Sequence, residues 1–288
     1  MNELKAVLLV GGEATRLYPL SKNSPKGLLP IRELPIIEYM FKKFIDVGVD
    51  DFILIAASKH REQWEAYKKR SEYKIEIFYE ETKYDTAGFI CNNINLFPDK
   101  FICANGDLLM DLNLDNFIES VFTSRTSILS TIQVTNPSRF GLVIYDEKNI
   151  VKKFIEKPKD VTLGNTISTG LYFLQLKDLA RFEFKANVQI SFEKDIFPFL
   201  ANLSLLSNCS LSGRLFDVGT RESYIEANCM SENYWIHPTA IFHKTVEVKK
   251  SVIMKNSQIG QNAVIVNSII GPNIKLEANS IIEDEIFC

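Results

Sequence analysis

Glycines and cations near the start of the chain form a group that could hold a phosphorylated ligand. Gly11 and Gly12 directly follow an apolar run that ends at Val10. Glycines at the end of a strand let backbone N–H groups approach a phosphate closely. Arg16 and Lys26 follow, and both could neutralise phosphate charge, with arginine suited to bidentate contact. The alternative for these residues is an ordinary glycine turn with two solvated cations.

Two aspartates that are distant in the sequence could supply ligands to a metal ion. Asp107 follows an apolar run in the stretch Asn105-Gly106-Asp107, and Asp217 lies in Phe216-Asp217-Val218-Gly219-Thr220. Mg²⁺ prefers one or two carboxylates together with phosphate oxygens and water. The alternatives are structural: Asp107 as a turn residue that caps a following helix, and Asp217 as the N-cap of the last helix.

Other kinds of active site are not indicated. The glycine pair is not followed by the G-K-[ST] of a Walker A loop, and it does not form the G-x-G-x-x-G of a dinucleotide fold. The three histidines, His60, His237 and His243, lie outside the motifs and are expected in turns or on the surface. No Ser-His-Asp arrangement is indicated.

The elements that would position these residues alternate between strand and helix. The predicted strands span residues 4–10, 52–57, 74–79 and 100–104, and the predicted helices span residues 35–47, 60–70 and 86–96. Alternation of this kind predicts right-handed crossovers and a mostly parallel sheet flanked by helices, in a Rossmann-like α/β fold. Ligands bind beyond the carboxyl ends of such strands, where Gly11-Gly12 and Gly106-Asp107 are expected.

The rest of the first 230 residues is less regular. Strands are predicted at residues 127–134, 142–145, 150–155, 169–174 and 215–218, and helices at residues 191–201, with Ser191 as N-cap, and 220–228. We therefore predict one domain over residues 1–230, which contains the candidate phosphate and metal ligands.

The last fifty residues have a different periodicity, which predicts a second domain over residues 236–288. Apolar residues recur at six-residue intervals in two series: Val246, Val252, Val264, Ile270, Leu276 and Ile282 in one, and Ile253, Ile259 and Ile265 in the other. A hexapeptide period is typical of a β-helix, here left-handed, with room for about three coils. So few coils leave an open end, which predicts packing on the first domain or a homo-oligomer formed through the β-helix.

Composition argues against several classes of partner. The 33 basic and 36 acidic side chains give a net charge of −3, which argues against nucleic acid as the main partner. No apolar run approaches the roughly 20 residues needed to cross a bilayer, so no membrane partner is expected. The five cysteines form no C-x-x-C pair, and the start of the chain lacks the pattern of a signal peptide. A cytoplasmic protein with reduced thiols is therefore expected.

The stretch from Gly11 to Pro30 resembles the signature of the sugar-1-phosphate nucleotidyltransferases, G-G-x-G-T-R-L-x-P-x-T-x-x-x-P-K-x-L-x-P. Two positions depart from it, since Ala14 replaces the third glycine and Ser21 replaces a threonine. Alanine adds a methyl group beside the expected triphosphate and needs backbone angles that an alanine tolerates. Asp85-Thr86-Ala87-Gly88 resembles the family's G-T-A-G stretch near the base, with Asp85 in place of a glycine.

This resemblance implies a role for each matching residue. It implies Mg²⁺ as the cofactor, and catalytic roles for Arg16 and Lys26. The implied nucleotide-binding residues are Val10, Gly11, Gly12, Thr15, Arg16, Lys26, Gly88 and Gly106. The implied sugar-phosphate residues are Gly141, Glu156, Lys157 and Thr169, and the implied metal ligands are Asp107 and Asp217. For Glu156-Lys157, which match the family's E-K-P motif, the alternative is an exposed charged turn.

The resemblance also implies a reaction, in which a sugar 1-phosphate attacks the α-phosphorus of a nucleoside triphosphate. The order of a catalytic domain followed by a hexapeptide β-helix resembles that of mannose-1-phosphate guanylyltransferases, and Ser191 to Pro198 match their S-x-E-x-x-x-F-P stretch. This resemblance favours GTP and mannose 1-phosphate as substrates. A glucose-1-phosphate thymidylyl-, uridylyl- or adenylyltransferase is the alternative, because Thr169 to Phe173 resembles the thymidylyl group more closely. A regulatory subunit of the same fold without catalysis is an alternative of another class, and Ala14 and Asp85 would be signs of it.

Overall fold

The computed structural model describes residues 4–230 and 232–288, and it describes Asp217 by its backbone alone. The chain forms two compact units, each assembled from separate segments. The first unit contains the chain up to Gly11 together with Phe41–Gly106 and Met110–Leu215, and the second contains Gly12–Met40, Asp107–Leu109 and Phe216–Cys288. The predicted division at residues 230 and 236 stays a prediction.

The elements before the β-helix alternate largely as predicted. The strands are β1 (Lys5–Leu9), β2 (Pro30–Ile31), β3 (Leu34–Pro35), β4 (Asp51–Ala57), β5 (Lys74–Glu80), β6 (Lys100–Asn105), β7 (Leu108–Leu112), β8 (Ser127–Gln133), β9 (Gly141–Tyr145), β10 (Val151–Glu156), β11 (Thr166–Gln175), β12 (Leu206–Ser210) and β13 (Gly213–Asp217). The helices are α1 (Ile36–Ile45), α2 (Arg61–Arg70), α3 (Asp85–Asn92), α4 (Asp115–Thr123), α5 (Leu176–Leu179), α6 (Phe197–Asn202) and α7 (Arg221–Cys229).

A mixed nine-stranded sheet forms the centre of the first unit. Its path runs β10-β9-β11-β6-β1-β4-β5, and β8 joins β11 to β12. The strands β6, β1, β4 and β5 are parallel, whereas β11 runs antiparallel to its neighbours. This confirms the predicted fold class, a mixed and mostly parallel sheet flanked by helices. Its parallel part places the carboxyl ends of β1, β4, β5 and β6 at one edge.

Several elements were not predicted, and one predicted helix differs in form. The strands β2, β7 and β12 and the helices α4 and α5 lie outside the predicted elements, and β3 ends at Pro35, where the predicted helix 35–47 begins. The strand β7 begins three residues after β6 ends, with only Gly106 and Asp107 between them. Ser191 caps the predicted helix as expected, by accepting from the N–H groups of Glu193 and Lys194. That helix begins with a π-helical turn, Phe192–Ile196, before α6.

In the second unit, residues 12–31, which carry most of the glycine-rich signature and are called the motif segment below, share one apolar core with α7 and the β-helix. Leu17, Leu29 and Ile31 pack in this core with Tyr224 of α7 and Val252 of the β-helix. The Tyr224 hydroxyl donates to the carbonyl of Pro30. The motif segment is therefore held by packing along much of its length, from Leu17 to Ile31.

Parallel strands over residues 234–287 form three stacks compatible with the predicted left-handed β-helix. They are β14 (Tyr234–Ile236), β15 (Ile241–Phe242), β16 (Glu247–Lys249), β17 (Ser251–Ile253), β18 (Gln258–Ile259), β19 (Val264–Val266), β20 (Ile269–Ile270), β21 (Lys275–Leu276), β22 (Ile281–Glu283) and β23 (Ile286–Phe287). The stacks run β14-β17-β20-β23, β15-β18-β21 and β16-β19-β22. This corresponds to three coils and one further strand, as the hexapeptide pattern predicted.

The two apolar series were assigned incorrectly at one point. Ile253 stacks on Ile270, and Ile265 stacks on Ile282. Ile253 and Ile265 were predicted in one series and Ile270 and Ile282 in the other, so the residues that point into the β-helix belong to both. The reason is the length of a coil, which is 17 residues, as the stacked side chains of Asn256 and Asn273 show. Three hexapeptides would give a coil of 18 residues. Because the observed coil has 17, the residue that points inward shifts by one position, relative to the six-residue series, in each successive coil. Val264 is consequently only half-buried.

No helix in residues 4–230 and 232–288 is long and apolar enough to cross a membrane.

Candidate nucleotide and sugar-phosphate sites

In the first unit, the ends of β1 and β6 meet at the carboxyl edge of the sheet. The N–H of Gly106 donates to the carbonyl of Leu9 at 2.9 Å, and the N–H of Val10 donates to Ile55 at 2.9 Å. A side chain on Gly106 would collide with that of Val10, so glycine is required for this close approach. The structure thus brings together Val10, Gly11 and Gly106, which were predicted separately as nucleotide-binding residues.

Glu80 lies beside these glycines at the end of β5, and it was not among the predicted site residues. A Cβ atom on Gly11 would lie 3.1 Å from the Glu80 Oε2 atom. Burial, together with repulsion by Asp85, raises the pKa of the Glu80 carboxyl to about 7. The position at the carboxyl end of a predicted parallel strand was the signal that could have identified it.

The shifted pKa of Glu80 also makes a contribution to stability that depends on pH. The folded protein holds this proton more tightly than the unfolded chain, in which the pKa is near its ordinary value of 4.5. The contribution of Glu80 to the free energy of unfolding is therefore complete below pH 4.5, and it is lost as the pH rises to about 7.

The Asp85-Thr86-Ala87-Gly88 stretch accommodates its departure from the family motif. Asp85 has φ +61°, in the left-handed region that favours glycine and that aspartate tolerates better than most residues. Its Oδ1 atom accepts from the N–H of Thr86 at 2.9 Å. The Thr86 hydroxyl donates to Glu193 Oε2 at 2.7 Å, which joins this stretch to the S-x-E stretch. Gly88 packs against residues 188–190 and leaves no room for a side chain.

Three predicted sugar-phosphate residues of the first unit also meet. Gly141 begins β9 and Glu156 ends β10, and the two are cross-strand partners. The N–H of Lys157 donates to the carbonyl of Phe140 at 3.0 Å, and its Nζ atom lies 3.2 Å from Glu156 Oε1. The Lys157 side chain is 68% exposed, so its ammonium group is accessible to a phosphate.

Thr169 is placed differently from the other three. It lies on β11, which pairs with β9 at Ile167 and Leu142. Thr169 is buried, and its hydroxyl is hydrogen-bonded to the Ser130 hydroxyl. A sugar-binding role for Thr169 stays a prediction, and in this arrangement it would have to use the backbone.

In the second unit, the loop that carries the motif is open to solvent and fixed at its ends. Gly12, Thr15 and Arg16 are exposed, and a side chain on Gly12 would meet no atom within 4 Å. Ala14 has φ −84° and ψ 52°, near the inverse γ-turn that L-residues adopt at loop starts, so its methyl group does not strain the loop. The Ser21 hydroxyl donates to the carbonyl of Ala14 at 2.6 Å, a bond that a threonine hydroxyl would make equally well. Neither departure from the motif distorts this loop.

Lys26 and Asp107 form an ion pair in the second unit. The Lys26 Nζ atom lies 2.7 Å from Asp107 Oδ2, and Lys26 is only 7% exposed. The Asp107 side chain is 39% exposed, and its second oxygen makes no hydrogen bond with the described part of the chain. The structural alternative for Asp107 is wrong, because the strand β7, not a helix, follows it.

The backbone of Asp217 lies near Asp107. β13 pairs with β7, and the N–H of Asn113, just after β7, donates to the carbonyl of Ser212, just before β13. The two strands must therefore run antiparallel, and the end of β13 lies beside the start of β7. The side chain of Asp217 is outside the described part of the structure. Its alternative role as a helix N-cap is wrong, because Thr220 caps α7.

The residues at this point suit Mg²⁺. Asp107 offers a partly exposed carboxylate, one oxygen of which has no hydrogen bond to the residues that the structure describes, and Mg²⁺ prefers one or two carboxylates with water and phosphate oxygens. Among residues with described side chains, no three of the His, Cys, Asp and Glu type cluster as a metal site. The described residues therefore offer too few ligands to coordinate a metal ion by protein atoms alone. They suffice for an ion that phosphate oxygens and water also coordinate.

Comparison with known proteins identifies the family. The sequence profile described as nucleotidyl transferase matches residues 5–233. The chain belongs to the nucleotidyl transferase family. The match includes every predicted site residue and ends just before the β-helix strands.

Similar proteins share a common name. The chain is 32% identical to the mannose-1-phosphate guanylyltransferase catalytic subunit beta of Drosophila pseudoobscura pseudoobscura, over 80% of this chain and 62% of that one. It is 29% identical to the protein of that name from Xenopus tropicalis, over 90% and 74%, and 26% identical to the mannose-1-phosphate guanyltransferase of Candida albicans, over 95% and 87%. The chain thus spans less than two thirds of the Drosophila relative.

A solved structure shares the fold. It is a crystal structure from Bacillus anthracis, provisionally named a glucose-1-phosphate thymidylyltransferase, in complex with sucrose. The two superpose with a TM-score of 0.70 at 21% identity, over 80% of this chain and 96% of that one. At this identity the likeness establishes the fold and says nothing of the substrate.

Proposed function

We propose that this protein transfers a nucleotidyl group from a nucleoside triphosphate to a sugar 1-phosphate. A phosphate oxygen of the sugar 1-phosphate attacks the α-phosphorus and forms a new P–O bond. The bond from the α-phosphorus to the bridging oxygen breaks, and pyrophosphate leaves with the electron pair. The observation that carries the proposal is the Lys26–Asp107 ion pair, because it joins the motif cation to the predicted metal ligand.

The residues of the chain act by binding and charge neutralisation, because the attacking oxygen is already anionic and needs no strong base. Arg16 and Lys26 stabilise charge on the triphosphate and the leaving pyrophosphate. Lys157 holds the phosphate of the incoming sugar, which the triphosphate would otherwise repel. Mg²⁺, held by Asp107 and Asp217, would supply Lewis-acid stabilisation of the phosphate charge.

We further propose GTP as the triphosphate and mannose 1-phosphate as the acceptor. The names of the relatives support both substrates. Glu80 supports the base: an ionised carboxylate accepts two hydrogen bonds, and the guanine edge offers two adjacent N–H donors. The corresponding edge of adenine has one donor beside one acceptor. An ionised carboxylate would repel that acceptor, so it disfavours the binding of adenine. The protein is proposed to act in the cytoplasm, since its cysteines are free thiols among the described residues.

The experiment that tests this function measures pyrophosphate release with Mg²⁺, each nucleoside triphosphate and a panel of sugar 1-phosphates. We expect GTP with mannose 1-phosphate to be among the best pairs. No release with any pair would refute the transferase and favour a regulatory subunit. Faster release with another base and sugar would keep the reaction and overturn the substrates.

Glu80→Gln is expected to lower the preference for GTP over ATP, measured as the ratio of kcat/KM values, by about tenfold or more. The amide accepts on one side and donates on the other, so it cannot pair with both guanine donors. In the unchanged protein the preference should also rise between pH 6 and pH 8, as the carboxyl with a pKa of about 7 ionises. Glu80→Gln should remove this pH dependence.

Glu81→Gln is the matched control, since Glu81 is the next residue and its side chain is 75% exposed beside Arg61. It should leave the preference and its pH dependence unchanged. An equal effect of both variants, or a GTP preference that is retained in Glu80→Gln, would rule out the proposed role of Glu80.

We also propose that the protein is a dimer formed through the first coil of the β-helix. Phe242 occupies an inner position, stacked on Ile259, yet it is 49% exposed, because β15 is the first strand of its stack among the described residues. At the other end of the β-helix the inner residues Leu276 and Ile282 are buried, and Phe287, stacked on Ile270, is 37% exposed. The more exposed first coil suits a closed, twofold contact with the same coil of a second copy rather than an open filament.

Phe242→Glu is expected to convert the dimer to a monomer, since it places a charge in the proposed contact. Light scattering should give about twice the chain mass of 32.9 kDa for the unchanged protein and the chain mass for the variant. Ile281→Glu, at a more exposed position of the last coil, should remain dimeric. A monomer before any substitution would exclude this interface.

A further inference from the structure

A cavity of about 270 Å³ lies within the second unit, between the motif segment and the first turns of the β-helix. Leu20, Leu28 and Leu29 line it from the motif segment, and Trp235 and Met254 line it from the β-helix. None of these five side chains has a part in the proposed transfer. The walls suit an apolar group, and Trp235 offers an aromatic surface to a flat one.

Charged residues at the rim of this cavity indicate the charge of a ligand. Arg32, Lys255 and Glu33 belong to its lining, so cations outnumber carboxylates. The Arg32 guanidinium already donates to the carbonyl of Asn228 at 2.9 Å and lies 3.2 Å from Glu232 Oε1. Lys255 is exposed, and its ammonium group makes no ion pair or hydrogen bond with the described part of the chain. One cation is thus available for one anionic group.

The volume limits the size of the ligand. Ligand pockets usually measure about 300–1,000 Å³, so this cavity is slightly smaller than the lower limit of that range. It suits a compact ring system that carries a single anionic group.

The cavity is also connected to Lys26 by one short helical turn. Leu28 and Leu29, which line the cavity, end the 3₁₀ turn Lys26–Leu28. The N–H of Leu29 donates to the carbonyl of Lys26 at 3.0 Å, and Lys26 Nζ lies 2.7 Å from Asp107. A ligand that presses on the two leucines therefore acts on the backbone that sets the position of the Lys26 ammonium group.

We propose that this cavity is a second ligand site, which takes a small organic monoanion with a flat apolar body, and that its occupation changes the rate of nucleotidyl transfer. The binding stands on the cavity alone, whereas the change in rate rests on the proposed function. Lys255 attracts the anionic group, Glu33 opposes it, and Trp235 with the three leucines holds the apolar body.

Binding is tested with 1-anilinonaphthalene-8-sulfonate, an aromatic monoanion, and with uncharged N-phenyl-1-naphthylamine, by fluorescence titration of the full chain. Lys255→Glu should weaken sulfonate binding about fivefold, and Glu33→Gln should strengthen it about twofold, typical of single exposed charges. The uncharged probe should bind all variants equally. Both substitutions are at the protein surface, and circular dichroism would confirm that the variants are folded.

Lys244→Glu is the matched control, because Lys244 is exposed in another turn of the β-helix, between β15 and β16, and does not line the cavity. It should bind the sulfonate like the unchanged protein. No saturable binding, or equal affinities in Lys255→Glu and Lys244→Glu, would overturn the site. An equal response of both probes to Lys255→Glu would overturn its selectivity for anions.

The effect on rate is measured separately, as kcat at rising sulfonate concentration. We expect kcat to change at least twofold along the binding curve, and the change to shift to higher concentration in Lys255→Glu. Binding without a change in kcat would refute the connection to Lys26 and leave the site intact. Binding by a protein that has no transferase activity would refute the proposed function instead.

Discussion

Asp107→Asn is expected to lower kcat for nucleotidyl transfer by about 10²- to 10³-fold, the range found when one electrostatic group of an active site is removed. Asparagine has the same shape, and its amide oxygen can still accept from Lys26, so the second unit should stay folded. The amide carries no charge, so the proposed Mg²⁺ site loses a carboxylate. The measurement is pyrophosphate release at saturating substrates, together with thermal unfolding.

The control for this variant is Asp111→Asn, which removes an exposed carboxylate from the same strand, β7. It should keep nearly full activity. The Mg²⁺ concentration that gives half-maximal rate should rise in Asp107→Asn only. Near-normal kcat and an unchanged Mg²⁺ dependence in Asp107→Asn would exclude a metal-binding role for Asp107.

Lys26→Gln is expected to have the second large effect, a loss of about 10²-fold in kcat. Lys26 is almost fully buried and paired with a carboxylate, so its ammonium group is held in one position before any substrate arrives. A preorganised charge of this kind stabilises charge that develops in the transition state. Glutamine keeps a donor but not the charge, so kcat should fall more than the affinity for the triphosphate.

Lys22→Gln provides the matched control, since Lys22 is an exposed lysine of the same segment. It should change kcat by less than twofold. If Lys26 and Asp107 act on one step, the double variant Lys26→Gln/Asp107→Asn should be hardly slower than the slower single variant. Losses that multiply would show that the two residues act independently, and normal turnover in Lys26→Gln would refute its catalytic role.

Local sequence patterns were sufficient to predict most elements. Strands β1, β4, β5 and β6 were predicted from apolar runs, and the β-helix was predicted from its hexapeptide period. Both patterns involve only residues that are close in the sequence, so they can be recognised without the structure. Ser191 was recognised as an N-cap for the same reason. The exact inner series of the β-helix could not be read in this way, since the 17-residue coil is set by stacking between coils.

The sequence by itself determined which residues carry the chemistry: the glycine loop with Arg16 and Lys26, the aspartate after β6, and the Glu156-Lys157 pair. The tertiary structure decided which of them meet. Lys26 and Asp107 are 81 positions apart, and Gly141 and Glu156 face each other only because β9 and β10 pair in one register. Strand order and register depend on packing between distant segments, which no local pattern encodes. For this reason the glycine loop was visible in the sequence, whereas Glu80, next to Gly11, was recognised only in the folded chain.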